Sequence, residues 1–206
     1  MLVNAAIDPS LVVRDPAAAL AELRQHPHWC DSRERWVFGY ASLIWRPEFE
    51  AAEHRPALLR GWHRALRMRS RINRGTAAQP GLVFALLPGG ACRGVVYRMR
   101  PDHADEEIER LWAREMPTGV YDARLLRCRT GQGDVTALAF TLSRRSGSCL
   151  PRLTDEPMLH ILRHASGRYG TTLEYLARTA QALREQGLRD SEIERLMRLA
   201  ADHGLL

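Results

Sequence analysis

The sequence predicts an α+β fold: about six short strands whose mixed sheet can close into a small β-barrel, with flanking helices and a helical C-terminal segment. Three observations lead there. Between residues 36 and 142, short β-rich runs recur between Gly- and Pro-bearing breaks. One amphipathic helix pattern, at 101–115, interrupts those runs, and from 154 onward the apolar residues recur at helical spacing. A chain of 206 residues can bury one substantial core. The expected organisation is an N-terminal arm and short helix over 1–34, then a single domain over 35–206.

Taken in order, Asp15-Pro16 marks a helix start, with Asp as cap and Pro in the first turn, before Leu20 and Leu23 at helical spacing. Residues ahead of it read as a loose arm. Trp36, Val37 and Phe38 favour a half-buried strand that breaks at Gly39 into a small polar step, Ala41-Ser42. Pro47 and Pro56 bracket an irregular connection, and 62–70 alternates Leu66 and Met68 with Arg67 and Arg69 as a half-exposed strand. Residues 82–87 and 94–99 flank Pro88-Gly89-Gly90 and predict a hairpin; 124–129 and 135–142 flank Gly131-Gln132-Gly133 and predict a second. Between them Pro101-Asp102 opens a helix with Ile108, Leu111 and Trp112 on one face, ended by Met116-Pro117 because the residue before proline avoids α geometry. Farther on, Asp155 is expected to cap a helix closed by Gly167. The next helix carries Leu173, Leu176, Ala180 and Leu183 and stops at Gly187. Ser191 and Glu194 form a capping box for the last.

All 30 basic residues are arginine, against 24 carboxylates, for a formal charge of +6. Without lysine there is no Schiff base and no Walker A phosphate clamp, so aldolase-type, pyridoxal and P-loop chemistries are excluded. Arg60, Arg64, Arg67, Arg69, Arg71 and Arg74 are the nearest approach to a basic stripe. They suggest either a solvated face or an anion-binding surface, which would make the chain a non-enzymatic anion- or nucleic-acid-binding module. Cys30, Cys92, Cys128 and Cys149 lie far apart with no C-x-x-C pair, so reduced thiols are expected. No basic head leads into an apolar stretch at the N-terminus, and nowhere do 18 apolar residues run together. A cytoplasmic protein without a membrane association is the expectation.

The candidate chemistry is sparse. The residues after Gly39 either form an ordinary turn or a loop whose main-chain N–H groups cradle an anion. Ser42 lacks a nucleophile elbow, since Gly39-Tyr40-Ala41-Ser42-Leu43 is not G-x-S-x-G. His160 and His164 stand four apart, but no third ligand is evident, so they read as helix-surface histidines and no metal site is assigned. Glu115 sits at the last turn of its helix, at the negative end of the macrodipole, which should raise its pKa. That suits a general acid/base; a surface glutamate paired with Arg114 is the alternative.

Several blocks, in order, carry a resemblance: Phe38-Gly39-Tyr40-Ala41-Ser42-Leu43-Ile44-Trp45, then Arg74-Gly75-Thr76 with Pro80-Gly81-Leu82, then Gly94-Val95-Val96-Tyr97. Residues 112–121, with Glu115-Met116-Pro117 at their centre, follow, and then Gly167, Gly170, Leu173-Glu174-Tyr175-Leu176 and Gly187-Leu188-Arg189-Asp190. Together they resemble the ChaC family of γ-glutamylcyclotransferases over roughly residues 36–200. The resemblance implies the γ-glutamylcyclotransferase-like barrel and a cofactor-free enzyme that cleaves glutathione, a small-molecule substrate, into 5-oxoproline and cysteinylglycine. It places the family's substrate loop on Tyr40, Ala41, Ser42 and Leu43, and its catalytic acid/base on Glu115. Tyr121 and Tyr175 are further candidates for substrate hydrogen bonds, with core aromatics as the other reading. The chain departs from the family pattern at Ala41, which replaces a loop glycine, and at Thr172, which stands where asparagine is common.

Overall fold

The computed structural model describes residues 15–30 and 34–206; the arm expected before Asp15 lies outside them. The elements are α1 Pro16–Gln25, α2 Pro27–Cys30, β1 Trp36–Gly39, α3 Ser42–Trp45, β2 Ala51–Ser70, β3 Gly81–Met99, α4 Ala104–Glu115, β4 Asp122–Thr130 and β5 Gly133–Thr141. The C-terminal part adds α5 Asp155–His164, a small β6 Ser166–Gly167 and β7 Gly170–Thr171 pair, α6 Thr172–Glu185 and α7 Ser191–Asp202. The main sheet closes as a five-stranded barrel in the order β1-β3-β2-β4-β5. Closure comes from a short parallel contact between β1 and β5, Trp36 with Ala137 and Val37 with Leu138. Every other pairing in the barrel is antiparallel. The barrel has one strand fewer than expected; the other two strands of the chain form the separate β6–β7 pair.

Val37, Phe38, Phe84, Leu86, Val95, Val96, Leu138 and Phe140 fill the core at 1 % exposure or less. Each such side chain contributes about 1.5–3 kcal/mol by leaving water. The helix inserted between the strands, α4, buries Ile108, Leu111 and Trp112, the face its spacing predicts. Asp15 caps α1 as expected, its carboxylate accepting from the Ala17 N–H at 3.0 Å.

Two strand expectations are corrected. Residues 51–61 are not an irregular connection but the first half of a 20-residue β2. Pro56 is tolerated because β4 pairs only with Ala57, Leu58 and Leu59, so beyond them one edge of β2 has no β4 ladder to which Pro56 must donate. Likewise, Pro88-Gly89-Gly90 is not a hairpin turn: β3 runs through it for 19 residues, paired with β2 on both sides. Gly61 of β2 faces this stretch at a register shift, and Gly61, Gly89 and Gly90 all have positive φ (81°, 100° and 74°). The two strands kink together and continue. The second expected hairpin, β4–β5 around Gly131-Gln132, is present.

Helix starts shift by one residue at two places. Thr154, not Asp155, occupies the cap position of α5, and α5 ends at Ala165 rather than at Gly167, which belongs to β6. Asp190, not Ser191, caps α7, accepting from the N–H groups of Glu192 and Ile193. A capping box does occur, at α6, where Thr171 and Glu174 satisfy one another's N–H groups.

Candidate active site

Glu115 is the last residue of α4, and its side chain is only 15 % exposed. Its carboxyl titrates above the usual carboxylate range, chiefly because burial strips its hydration; Arg114 opposes the shift and Glu48 adds to it. The direction is the expected one, but desolvation rather than the helix dipole is the dominant cause. Arg114 is more than a surface partner. Its Nε pairs with Glu115 at 3.0 Å, its Nη2 donates to Ser42 Oγ at 3.0 Å, and its Nη1 lies 3.3 Å from Glu48. A single guanidinium therefore ties the acid to the loop after β1.

That loop is a tight entry into α3. Ala41 takes the cap position and its carbonyl accepts from Ile44 N–H at 2.9 Å; the Ser42 carbonyl accepts from Arg46 N–H at 2.8 Å. The first N–H groups of any helical turn have no acceptor within it, which leaves those of Ser42 and Leu43 without an intrahelical partner. Ala41 has φ −147°, outside the left-handed region that would demand glycine, so its methyl is accommodated. The Tyr40 carbonyl accepts from Arg64, whose side chain is fully buried and paired with Asp190 at 2.7 Å.

Three tyrosines are electrostatically coupled to the carboxyl: the charge of Glu115 acts on Tyr40, Tyr121 and Tyr175 alike, and Tyr40 and Tyr121 act on one another. Burial pushes the Tyr40 and Tyr121 phenols well above their usual range and that of Tyr175 up as well, so all three remain neutral hydrogen-bonding groups near pH 7. Tyr175 Oη accepts from the Phe84 N–H at 3.3 Å, and its ring packs on Phe84 and Trp45. Trp45 is in turn held by Thr179, whose Oγ1 lies 3.2 Å from its indole N–H.

The candidate residues of the sequence thus converge: Glu115, Tyr40, Tyr121 and Tyr175 directly, Ser42 through Arg114, and Ala41 and Leu43 through the backbone of the same turn. The clefts near Leu150 and His160 (about 590 Å³) and near Trp36 and Asp134 (about 360 Å³) contain none of them. The basic stripe does not form one exposed face, since Arg64 and Arg74 are buried at 4 % and 6 % exposure. Sequence reasoning placed Arg64 and Arg74 in the basic stripe and Arg114 beside Glu115, but missed the partners that bring the three into this region. Only Arg114 had a local signal, its adjacency to Glu115. The carboxylate partner of Arg64 and the Tyr169 carbonyl that Arg74 bonds lie 126 and 95 residues away. Thr172, fully buried, accepts from the Leu82 N–H at 3.0 Å and stands 3.4 Å from the Arg74 carbonyl, so it holds the loop at 71–80 against α6. Among the described residues no group of three or more potential metal ligands occurs; the His160 and His164 rings lie 4.8 Å apart on α5, tilted by 53°.

A closed mixed barrel that carries a desolvated carboxyl coupled to neutral tyrosines, beside a helix-entry turn, has the groups an acid/base site would need. The model of the ChaC-like protein family matches residues 35–202, and the chain belongs to that family. It is 36 % identical over 163 residues to the glutathione-specific γ-glutamylcyclotransferase of Escherichia coli (strain K12), covering 79 % of this chain and 71 % of that protein. It is 30 % identical over 172 residues to the mouse (Mus musculus) glutathione-specific γ-glutamylcyclotransferase 1, covering 80 % and 77 %. The crystal structure of a selenomethionine-labelled γ-glutamyl cyclotransferase specific to glutathione, from yeast, shares the fold, with a TM-score of 0.74 over 82 % of this chain and 96 % of that one at 22 % identity.

Proposed function

We propose that this protein is a cytoplasmic, cofactor-free γ-glutamylcyclotransferase that cleaves glutathione into 5-oxoproline and cysteinylglycine. The observation that carries the chemistry is the desolvated Glu115 carboxyl, raised in pKa and tied through Arg114 to the turn that begins α3. The relatives' names supply the substrate.

In a γ-glutamyl amide the substrate's own α-amine attacks the γ-carbonyl carbon and closes a five-membered lactam. Glu115 accepts the proton that the ammonium must lose and returns it to the departing amine as the γ-amide C–N bond breaks. The α-nitrogen sheds a second proton as the lactam N–H forms, and that proton passes through the same carboxylate to the departing amine, which leaves as an ammonium; two protons are taken and two given, so the carboxylate is regenerated in each turnover. The N–H groups of Ser42 and Leu43 hold the γ-glutamyl unit in its folded conformation and face the developing oxyanion. Tyr40, Tyr121 and Tyr175, neutral throughout, orient substrate by hydrogen bonds.

Cys92, Cys128 and Cys149 carry thiols outside any disulfide, which a reducing compartment would favour, and among the described residues no helix is long and apolar enough to cross a membrane. The partner is a small molecule, with no nucleic acid or membrane involved. Release of 5-oxoproline from glutathione by the purified protein is the direct test. Steeply salt-dependent nucleic-acid binding without any turnover would overturn the proposal in favour of a basic binding module.

A further inference from the structure

Arg74 lies in the loop between β2 and β3 and is 6 % exposed. A buried guanidinium ordinarily has a carboxylate partner, because an unpaired charge away from water is costly. Among the described residues none lies within 4.0 Å of it. The carboxylate acting on it, Glu174, is occupied in the α6 capping box, where its Oε2 accepts from the Thr171 N–H at 2.8 Å. The hydrogen bonds Arg74 makes, to the carbonyls of Tyr169 and Thr171, both come from Nη1. Its Nε and Nη2 have no acceptor among the described residues, yet neither is sealed from solvent. Those two atoms form one edge of the guanidinium fork, the geometry that grips both oxygens of a carboxylate.

The position of this edge is informative. The Arg74 guanidinium lies 5.2 Å from the centre of the Tyr175 ring, and the Trp45 ring meets the same tyrosine at 6.2 Å. Arg178, exposed and also without a carboxylate within 4.0 Å among the described residues, stacks on Trp45 at 5.6 Å. Burial holds Arg74 below the usual arginine range, and Arg178 and Arg46 push in the same direction, as expected of a cluster of like charge. Tyr175 feels both Arg74 and Glu115, whereas the charges acting on Glu115 are those of Arg114 and Glu48. Tyr175 is therefore the group coupled both to the acid/base and to this cationic corner.

We infer that the Nε–Nη2 edge of Arg74, with Arg178 beside it, binds the C-terminal carboxylate of the peptide being cleaved, and so selects γ-glutamyl peptides over γ-glutamyl amides and amines. This rests on the function proposed above: the γ-glutamyl end occupies Glu115 and the α3 turn, which leaves the peptide end to reach past Tyr175. The carboxylate supplies the counter-charge that Arg74 lacks within the protein.

The test compares kcat/KM for glutathione and for glutathione carrying a C-terminal carboxamide. The wild type should prefer the free acid by about tenfold or more, the worth of a charged hydrogen-bonded contact. R74Q should bring that ratio toward one, and R178Q should lower it by a smaller factor. Equal turnover of acid and amide by the wild type overturns the inference while leaving the cyclotransferase reading intact. So does an R74Q that slows both substrates alike with the ratio preserved, which would place Arg74 at the γ-glutamyl end or in a structural role. Should R74Q fail to fold, R178Q decides: Arg178 is exposed, and an unchanged ratio there overturns the inference. Failure of the wild type to cleave any γ-glutamyl compound sinks both readings.

Discussion

Glu115 is held where its charged form is disfavoured, and the consequences separate chemistry from stability. Because its folded pKa lies above the ordinary 4.5, the folded state binds its proton more tightly than the unfolded chain does. The associated stability is fully present below the unfolded pKa and is lost as pH rises through the folded value. Activity has the opposite dependence: the base form is needed, so kcat/KM should fall as pH drops through that raised pKa, above where an ordinary carboxylate would titrate. Glu115→Gln keeps the shape and removes the proton chemistry. Single-turnover kinetics should show kcat down by about 10² to 10⁴ with little change in substrate affinity. Thermal melting at neutral pH should show no loss of stability, because the ionised carboxylate is the costly form. Near-normal turnover in the variant would remove Glu115 from the mechanism.

At the scale of elements, the site depends on a helix far from it in sequence. Asp190 caps α7 and also pairs with Arg64, which spans from β2 to the Tyr40 carbonyl at 0 % side-chain exposure. Removing one member of such a pair leaves an uncompensated buried charge. Asp190→Ala should therefore destabilise the protein by about 3–5 kcal/mol in urea unfolding, well beyond the ~1 kcal/mol of a lost cap. A loss confined to the capping value would show that Arg64 finds another partner. The close approach at Gly81 belongs to the same scale. A methyl there would lie 2.0 Å from the Arg74 carbonyl and 2.5 Å from Thr172 Oγ1, so the loop at 71–80 meets α6 with no room for a side chain. This contact presents Arg74 to Tyr175.

Across the whole molecule the barrel wall shields its thiols. Cys92 and Cys128 are buried, and burial pushes them up to about 11 and about 12. At neutral pH neither offers appreciable thiolate, and only thiolate reacts readily. Alkylation of the native protein should modify the exposed Cys30 first and leave turnover within about tenfold, a change of ~1.4 kcal/mol in barrier. A larger loss accompanying modification of Cys92 or Cys128 would mean that the barrel opens during catalysis, or that a thiol takes part in it.

The sequence by itself determined what depends on neighbours along the chain. The helical faces of α4 and α6, the β4–β5 hairpin around Gly131-Gln132 and the proline that ends α4 at Glu115 follow from periodicity and turn chemistry. The ordered motif blocks carried the family. Tertiary structure alone decided what depends on two distant segments meeting. Pro88-Gly89-Gly90 reads locally as a turn; it becomes a kink in a continuous strand because Gly61 of β2 faces it and bends with it. Pro56 reads as a breaker, and is a strand residue because β4 pairs with β2 only past it. The carboxylate partner of Arg64 and the ring beneath Arg74 come from the C-terminal third of the chain. Neither periodicity nor propensity records such pairings, since both describe a residue's relation to its own segment, whereas a buried charge is placed by whichever segment the closed barrel brings against it.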